Sequence, residues 1–117
     1  MRRDIDKELI FWKSQKERYP LIIRGARQVG KSYLVETFGK THFQNIVVVN
    51  LEFQPQLKDC FQSLVPFEII NKLQLLLGVQ IKEDNTLLFL DEIQECPQAI
   101  MSLRYFKEKM PKMAVIA

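Results

Sequence analysis

The stretch that decides the fold of this chain reads Gly25-Ala26-Arg27-Gln28-Val29-Gly30-Lys31-Ser32. It matches G-x-x-x-x-G-K-[ST] at every fixed position, the pattern of a phosphate-binding loop between a strand and a helix. Glycines let the backbone turn tightly and bring its N–H groups close to phosphate oxygens. The lysine of such a loop reaches the β and γ phosphates, and the serine hydroxyl is a ligand for Mg²⁺. The stretch therefore predicts a nucleotide site.

The sequence on either side of the loop has the context that the motif requires. Leu21-Ile22-Ile23 is a short apolar run, typical of a strand buried on both faces. Gly30 to Phe38 suits a helix, and Gly39 is placed to end it with a left-handed cap. We assign nine positions to nucleotide binding: Gly25, Ala26, Arg27, Gln28, Val29, Gly30, Lys31, Ser32 and Tyr33. The alternative, an ordinary glycine-containing turn with an exposed lysine, is disfavoured because motif and context agree.

Two carboxylates follow another apolar run further along the chain. Asp91 and Glu92 come directly after Leu87-Leu88-Phe89-Leu90, which reads as a buried strand. A carboxylate at the end of such a strand, beside the phosphate loop, can hold Mg²⁺, so we assign Ser32 and Asp91 to the metal site. Glu92 can accept a proton from an attacking water or orient it, and we assign it a catalytic role together with Lys31. An apolar strand that ends in Asp-Glu is also common where a strand simply reaches the surface and turns. A complete phosphate loop upstream favours the functional interpretation of these two residues.

The remaining segments alternate between helix and strand. Arg2 to Gln15 and Pro66 to Leu77 have helical patterns, the second followed by Gly78, while Ile46 to Val49 and Met113 to Ala117 suit strands. Pro97 opens a further helix that Pro111 closes, in which Ile100, Leu103, Phe106 and Met110 share a face. This order predicts an α/β fold with a parallel sheet covered on both sides. Together with the phosphate-loop motif it resembles the three-layer P-loop NTPase fold, and that resemblance implies an incomplete sheet with strands 1–4 only.

The composition is that of a folded soluble domain. The chain has 117 residues, 47% of them hydrophobic and 26% charged, with a formal net charge of +3. That charge leans only weakly toward polyanions; nucleotide phosphates satisfy it, and it does not indicate DNA. No apolar run approaches the roughly 20 residues that cross a bilayer, so we expect no membrane segment. Cys60 and Cys96 lack metal-ligand spacing, and we expect reduced, buried thiols in a cytoplasmic protein.

These features resemble the P-loop NTPases of the AAA+ superfamily. In that superfamily a glutamate follows the magnesium aspartate, and a strand lies between the phosphate-loop strand and the one bearing that aspartate. Three segments look like one prokaryotic AAA+ family: Arg27 to Ser32, Asn50 to Glu52 and Asp91 to Pro97. The resemblance implies ATP and Mg²⁺ as ligands, ATP hydrolysis, and assembly of the full-length form into a homo-oligomer. Such relatives often carry a C-terminal domain resembling a restriction endonuclease.

The resemblance also draws attention to Asn50. In such ATPases a polar residue that ends the second strand often contacts the glutamate and couples its position to partner or ligand binding. Asn50 follows Ile46 to Val49 and occupies that place, so we assign it a catalytic role. The alternative is a turn residue leaving a strand, which is equally in keeping with the turn preference of asparagine.

The resemblance implies that the chain is the N-terminal part of an AAA+ ATPase domain, with a leading helix at 1–19 and a nucleotide-binding core at 20–117. Family members continue through a fifth strand, arginines that touch a neighbouring subunit's γ phosphate, and a helical lid. We therefore expect a truncated piece. An ATPase is the favoured function; the alternatives are a nucleotide-binding interaction module or inactive fragment without turnover, and a small-molecule P-loop kinase.

Overall fold

The computed structural model describes residues 2–15, 19–23 and 29–117, with the side chains of 7–15, 19–23 and 31–117. Within these residues the helices are α1 (Arg2–Ser14), α2 (Val29–His42), α3 (Pro66–Leu77) and α4 (Pro97–Lys109). The strands are β1 (Asn45–Asn50), β2 (Thr86–Asp91) and β3 (Ala114–Ile116). Two 3-10 helices cover Pro55–Phe61 and Ile93–Glu95.

The three strands form one parallel sheet in the order β1-β2-β3. The segment 21–23 runs beside β3, where the Leu21 N–H donates to the Val115 carbonyl at 2.9 Å and the Ile23 N–H donates to the Ala117 carbonyl at 2.8 Å. β3 therefore lies between β2 and the segment that leads to the phosphate loop. The predicted α/β fold with a parallel sheet is confirmed.

The helices cover both faces of the sheet. Alternate residues of β2 face opposite sides: Leu88 and Leu90 pack into a core cluster with α3, α4 and the first 3-10 helix, while Leu87 and Phe89 pack into a second cluster with α1 and α2. All six residues of β2 are buried. A central strand of a parallel sheet has no solvent-facing side, which explains its nearly continuous apolar sequence.

The prediction that Gly39 ends the helix after the phosphate loop is wrong. α2 continues to His42, and Gly39 lies buried within it. A Cβ atom at this position would stand 2.5 Å from Ile46 Cδ1 and 3.0 Å from Leu87 Cδ2. The glycine is needed for close approach of the helix to the sheet, so its role is packing rather than termination. Gly78, by contrast, has a φ of 65° and caps α3 as predicted.

Two side chains are more exposed than the sequence pattern predicts. Ile22 is 50% exposed, so the segment 21–23 is not buried on both faces; it lies at the margin of the sheet that the described residues form. Ile100 is 46% exposed, although its spacing in the sequence predicts a position on the core face of α4. Ala99 and Ser102 are buried instead, because the buried face of this helix is centred on Leu103 and Phe106.

We expect Gly39→Ala to lower the free energy of unfolding by about 1 kcal/mol, because the overpacking cost of roughly 1–3 kcal/mol exceeds the gain in helix propensity. Adding Ile46→Val removes the nearest atom, Cδ1. The double variant should therefore be more stable than the sum of the single effects predicts. Urea unfolding measures this coupling. Lys40→Ala, an exposed position on the same helix, is the control, and additive effects would contradict the packing role of Gly39.

The two cysteines are free thiols in the protein core. Burial raises the pKa of the Cys60 thiol, since the thiolate would lose its hydration, and the nearby Lys72 charge opposes that rise only in part. We expect an aromatic disulfide reagent at pH 8 to react at least about 100-fold more slowly with the folded protein than with the protein in urea. Cys60→Ala and Cys96→Ala variants assign the two rates. Equal rates in both conditions would show that the thiols are accessible.

Candidate functional site

The site is built where the start of α2 meets the end of β2. The Ser32 hydroxyl, in the first turn of α2, donates to Asp91 Oδ2 at 2.9 Å across 59 residues of sequence. Asp91 is the last residue of β2 and is 7% exposed. An N-terminal helix end carries partial positive charge and unpaired N–H groups, which attract anions. The fold therefore brings a helix start, a hydroxyl and a carboxylate together at one place.

β1 contributes the neighbouring edge of this site. Asn50 and Asp91 are direct partners in the parallel register, and the Leu51 N–H donates to the Asp91 carbonyl at 3.1 Å. The carboxyl ends of both strands thus lie side by side next to the start of α2. Ligands of open parallel sheets bind at this edge.

Glu92 follows Asp91 in an unusual backbone conformation. Its φ of 55° and ψ of 47° lie in the left-handed region, and no other non-glycine among the described residues has a positive φ. This conformation costs a non-glycine residue roughly 1–2 kcal/mol. Its N–H donates to Asp91 Oδ1 at 2.9 Å, so both oxygens of the Asp91 carboxylate accept hydrogen bonds.

The comparison with protein families gives one match. A family model described as "AAA domain" matches residues 17–117, which is most of the chain. The chain belongs to the AAA family. No curated protein and no solved structure matches it significantly. Membership gives this AAA domain an ATPase-type, nucleotide-binding P-loop fold, as the sequence resemblance predicted.

The predicted loop residues of this AAA domain fall into two groups. Gly25, Ala26, Arg27 and Gln28 lie outside the described residues. Val29 and Gly30 form the first residues of α2, followed by Lys31, Ser32 and Tyr33. Lys31 and Ser32 are half-buried, and only Ser32 has a described contact with the strand edge, through Asp91.

Tyr33 lies on another side of α2 and is 58% exposed. It borders a cavity of about 310 Å³ between Ile10 of α1 and the α2 residues Phe38 and His42. Trp12 belongs to the core, with its indole N–H donating to the Tyr19 carbonyl at 2.6 Å. A role for Tyr33 in nucleotide binding stays a prediction.

Asn50 makes a turn as β1 ends. Its Oδ1 accepts the N–H groups of Glu52 and Phe53 at 3.0 and 2.9 Å. These bonds are those of an Asx turn, which an asparagine forms with the backbone two and three residues ahead. These bonds agree with the interpretation of Asn50 as a turn residue. They involve its Oδ1 atom, and they hold the side chain that also carries the Nδ2 donor. Contact between Asn50 and Glu92 stays a prediction.

The donor set at the site suits a hard cation. The Ser32 hydroxyl and the Asp91 carboxylate are oxygen ligands of the type that Mg²⁺ prefers. In the described part of the chain no three His, Cys, Asp or Glu side chains cluster to form a metal site by themselves. That combination fits a cation held partly by nucleotide phosphates. None of the helices in the described segments has the length and apolar character needed to cross a bilayer.

The sequence did not reveal that Gln94 contacts Glu92. The side chain amide of Gln94 donates to Glu92 Oε1 at 2.5 Å. Gln94 belongs to the family-like segment that begins at Asp91, but a glutamine two residues after a glutamate carries no signal of contact by itself. The contact depends on the left-handed conformation of Glu92, which residue types do not predict.

We expect Ser32→Ala to lower the free energy of unfolding of the nucleotide-free protein by about 1–2 kcal/mol, because it removes a donor from a nearly buried carboxylate. Ser14→Ala is the control, since its hydroxyl donates to a backbone carbonyl at the exposed end of α1 and should matter by less than about 0.5 kcal/mol. Urea unfolding at pH 7 measures both. Equal, small effects would mean that the Ser32 to Asp91 bond contributes nothing to stability.

Proposed function

We propose that this AAA domain binds ATP with Mg²⁺ and hydrolyses ATP to ADP and phosphate. The hydrogen bond between Ser32 and Asp91, with Glu92 next in sequence, is the observation that carries the proposal. It brings the end of the phosphate-loop motif to a strand end that bears two carboxylates. Phosphoryl transfer to water needs those parts: a phosphate cradle, ligands for a cation and a group that activates water.

Each residue has a defined role in this proposal. The loop at 25–30 and the start of α2 hold the phosphates through backbone N–H groups, and the Lys31 ammonium pairs with the β and γ phosphates. Ser32 and Asp91 hold Mg²⁺, which supplies positive charge that neutralises the transferring phosphoryl group. Ser32 can do so while its hydroxyl hydrogen donates to Asp91, because the hydroxyl oxygen keeps lone pairs for a cation.

Glu92 is the proposed base. Its carboxylate accepts a proton from water, or orients that water, so that the water oxygen attacks the γ phosphorus as the bond to the β-phosphate oxygen breaks. Glu92 lies one residue beyond Asp91 and is half-buried. Asn50 is proposed to contact Glu92 and to couple the position of Glu92 to partner or ligand binding, since Asn50 and Asp91 are register partners on adjacent strands.

The chain would act as the nucleotide-binding core, 20–117, preceded by a leading segment 1–19 whose helix α1 packs in one core cluster with α2. We propose a homo-oligomeric full-length form, since neighbouring subunits of AAA ATPases complete one another's sites. A cytoplasmic location is proposed because Cys60 and Cys96 are free thiols. The net charge of +3 fits binding of a nucleotide polyanion and does not call for DNA.

Phosphate release from Mg·ATP tests the proposal. We expect Lys31→Ala to weaken nucleotide binding by about tenfold or more, and Glu92→Gln to lower kcat by about 100-fold or more while ATP still binds. Lys40→Ala, an exposed lysine on the same helix, and Glu95→Gln, an exposed glutamate of the following turn, are the matched controls and should behave as the wild type.

Binding of a fluorescent ATP analogue in the same samples separates the possible outcomes. Binding that depends on Lys31, without phosphate release in any sample, would point to a nucleotide-binding module without turnover. ADP formed only when a small-molecule acceptor is added, with the phosphoryl group on that acceptor and no free phosphate, would instead indicate a kinase. Loss of neither binding nor turnover in Lys31→Ala would contradict the site itself.

A further inference from the structure

We propose that Gln94 is a positioning residue for the water-activating Glu92, an inference that rests on the function proposed above. The observation is the hydrogen bond from Gln94 Nε2 to Glu92 Oε1 at 2.5 Å. A glutamate side chain has three rotatable bonds, and a half-buried one can sample several orientations. A donor on one carboxylate oxygen favours one of them, although the Gln94 side chain itself is exposed.

The backbone holds Gln94 at the correct distance. The 3-10 helix Ile93–Glu95 begins directly after the left-handed residue Glu92, whose φ is 55°. Two successive turns close it, with the Glu95 N–H donating to the Glu92 carbonyl and the Cys96 N–H donating to the Ile93 carbonyl, both at 3.0 Å. Gln94 therefore sits on a short, hydrogen-bonded segment rather than on a freely moving loop.

The contact is also linked to the phosphate loop. The Glu92 N–H donates to one oxygen of Asp91, and the Ser32 hydroxyl donates to the other. The Glu92 backbone is thus tied to Asp91 and the start of α2, while its side-chain carboxylate is held separately by Gln94. Because a general base must lie within hydrogen-bond reach of the water it activates, a residue that fixes its carboxylate affects kcat rather than substrate binding.

Gln94→Leu tests the inference, because leucine is close in size and has no N–H donor. We expect kcat for phosphate release to fall about tenfold or more, with KM for ATP unchanged within about twofold, since a small misplacement of a catalytic group is costly. Gln80→Leu, an exposed glutamine in the coil after α3, is the control. Both variants should match the wild type in urea unfolding, because a merely structural role would change stability instead.

A second readout does not depend on turnover. In ¹H–¹⁵N spectra of the 117-residue chain, the Gln94 side-chain amide should shift in Glu92→Ala and stay in place in Glu95→Ala, which removes the adjacent carboxylate that does not contact it. An unchanged kcat in Gln94→Leu of an active protein, or an amide that ignores Glu92→Ala, overturns the inference while the ATPase proposal stands. A wild type that releases no phosphate overturns both the ATPase proposal and the catalytic role of Gln94.

Discussion

The hydrogen bond between Ser32 and Asp91 is the contact on which the arrangement of the site depends. It joins the first turn of α2 to the last residue of β2. It forms only if that helix and that strand hold one particular position relative to each other. Asp91 is almost fully buried, so an oxygen without a donor would be costly there. The pairing therefore both stabilises the junction and holds two proposed magnesium ligands together before any nucleotide arrives.

Gly39 allows α2 to lie close to the sheet. The helix approaches so closely that even one additional methyl group would overlap the side chain of Ile46. On the sheet side of this interface, the buried β2 residues Leu87 and Phe89 pack against α1 and α2. The packing of the core and the geometry of the site therefore depend on each other. If α2 moved away from the sheet by the width of a methyl group, Ser32 would also move away from Asp91.

The sequence predicts the parallel sheet and the meeting of Ser32 with Asp91 because both follow from strong signals. Buried parallel strands read as continuous apolar runs, and the loop motif fixes where the helix after it begins. The end of α2 is not predictable in this way, because a glycine near a helix end and a glycine packed against a sheet look alike in sequence. Ile100 is misplaced for a related reason: spacing identifies an apolar stripe but not its centre, and here the stripe centres on Leu103 and Phe106.

The left-handed conformation of Glu92 and its contact with Gln94 both depend on the surroundings of this residue. A residue with an L-side chain adopts this conformation only where its surroundings compensate the cost, and here the Glu92 N–H is bound by Asp91 while its carbonyl accepts from the 3-10 turn. Reversing the sign of φ would swing the glutamate away from the strand end and separate it from Gln94. The left-handed backbone and the short side-chain bond are therefore compatible with each other, and both belong to the turn that directly follows Asp91.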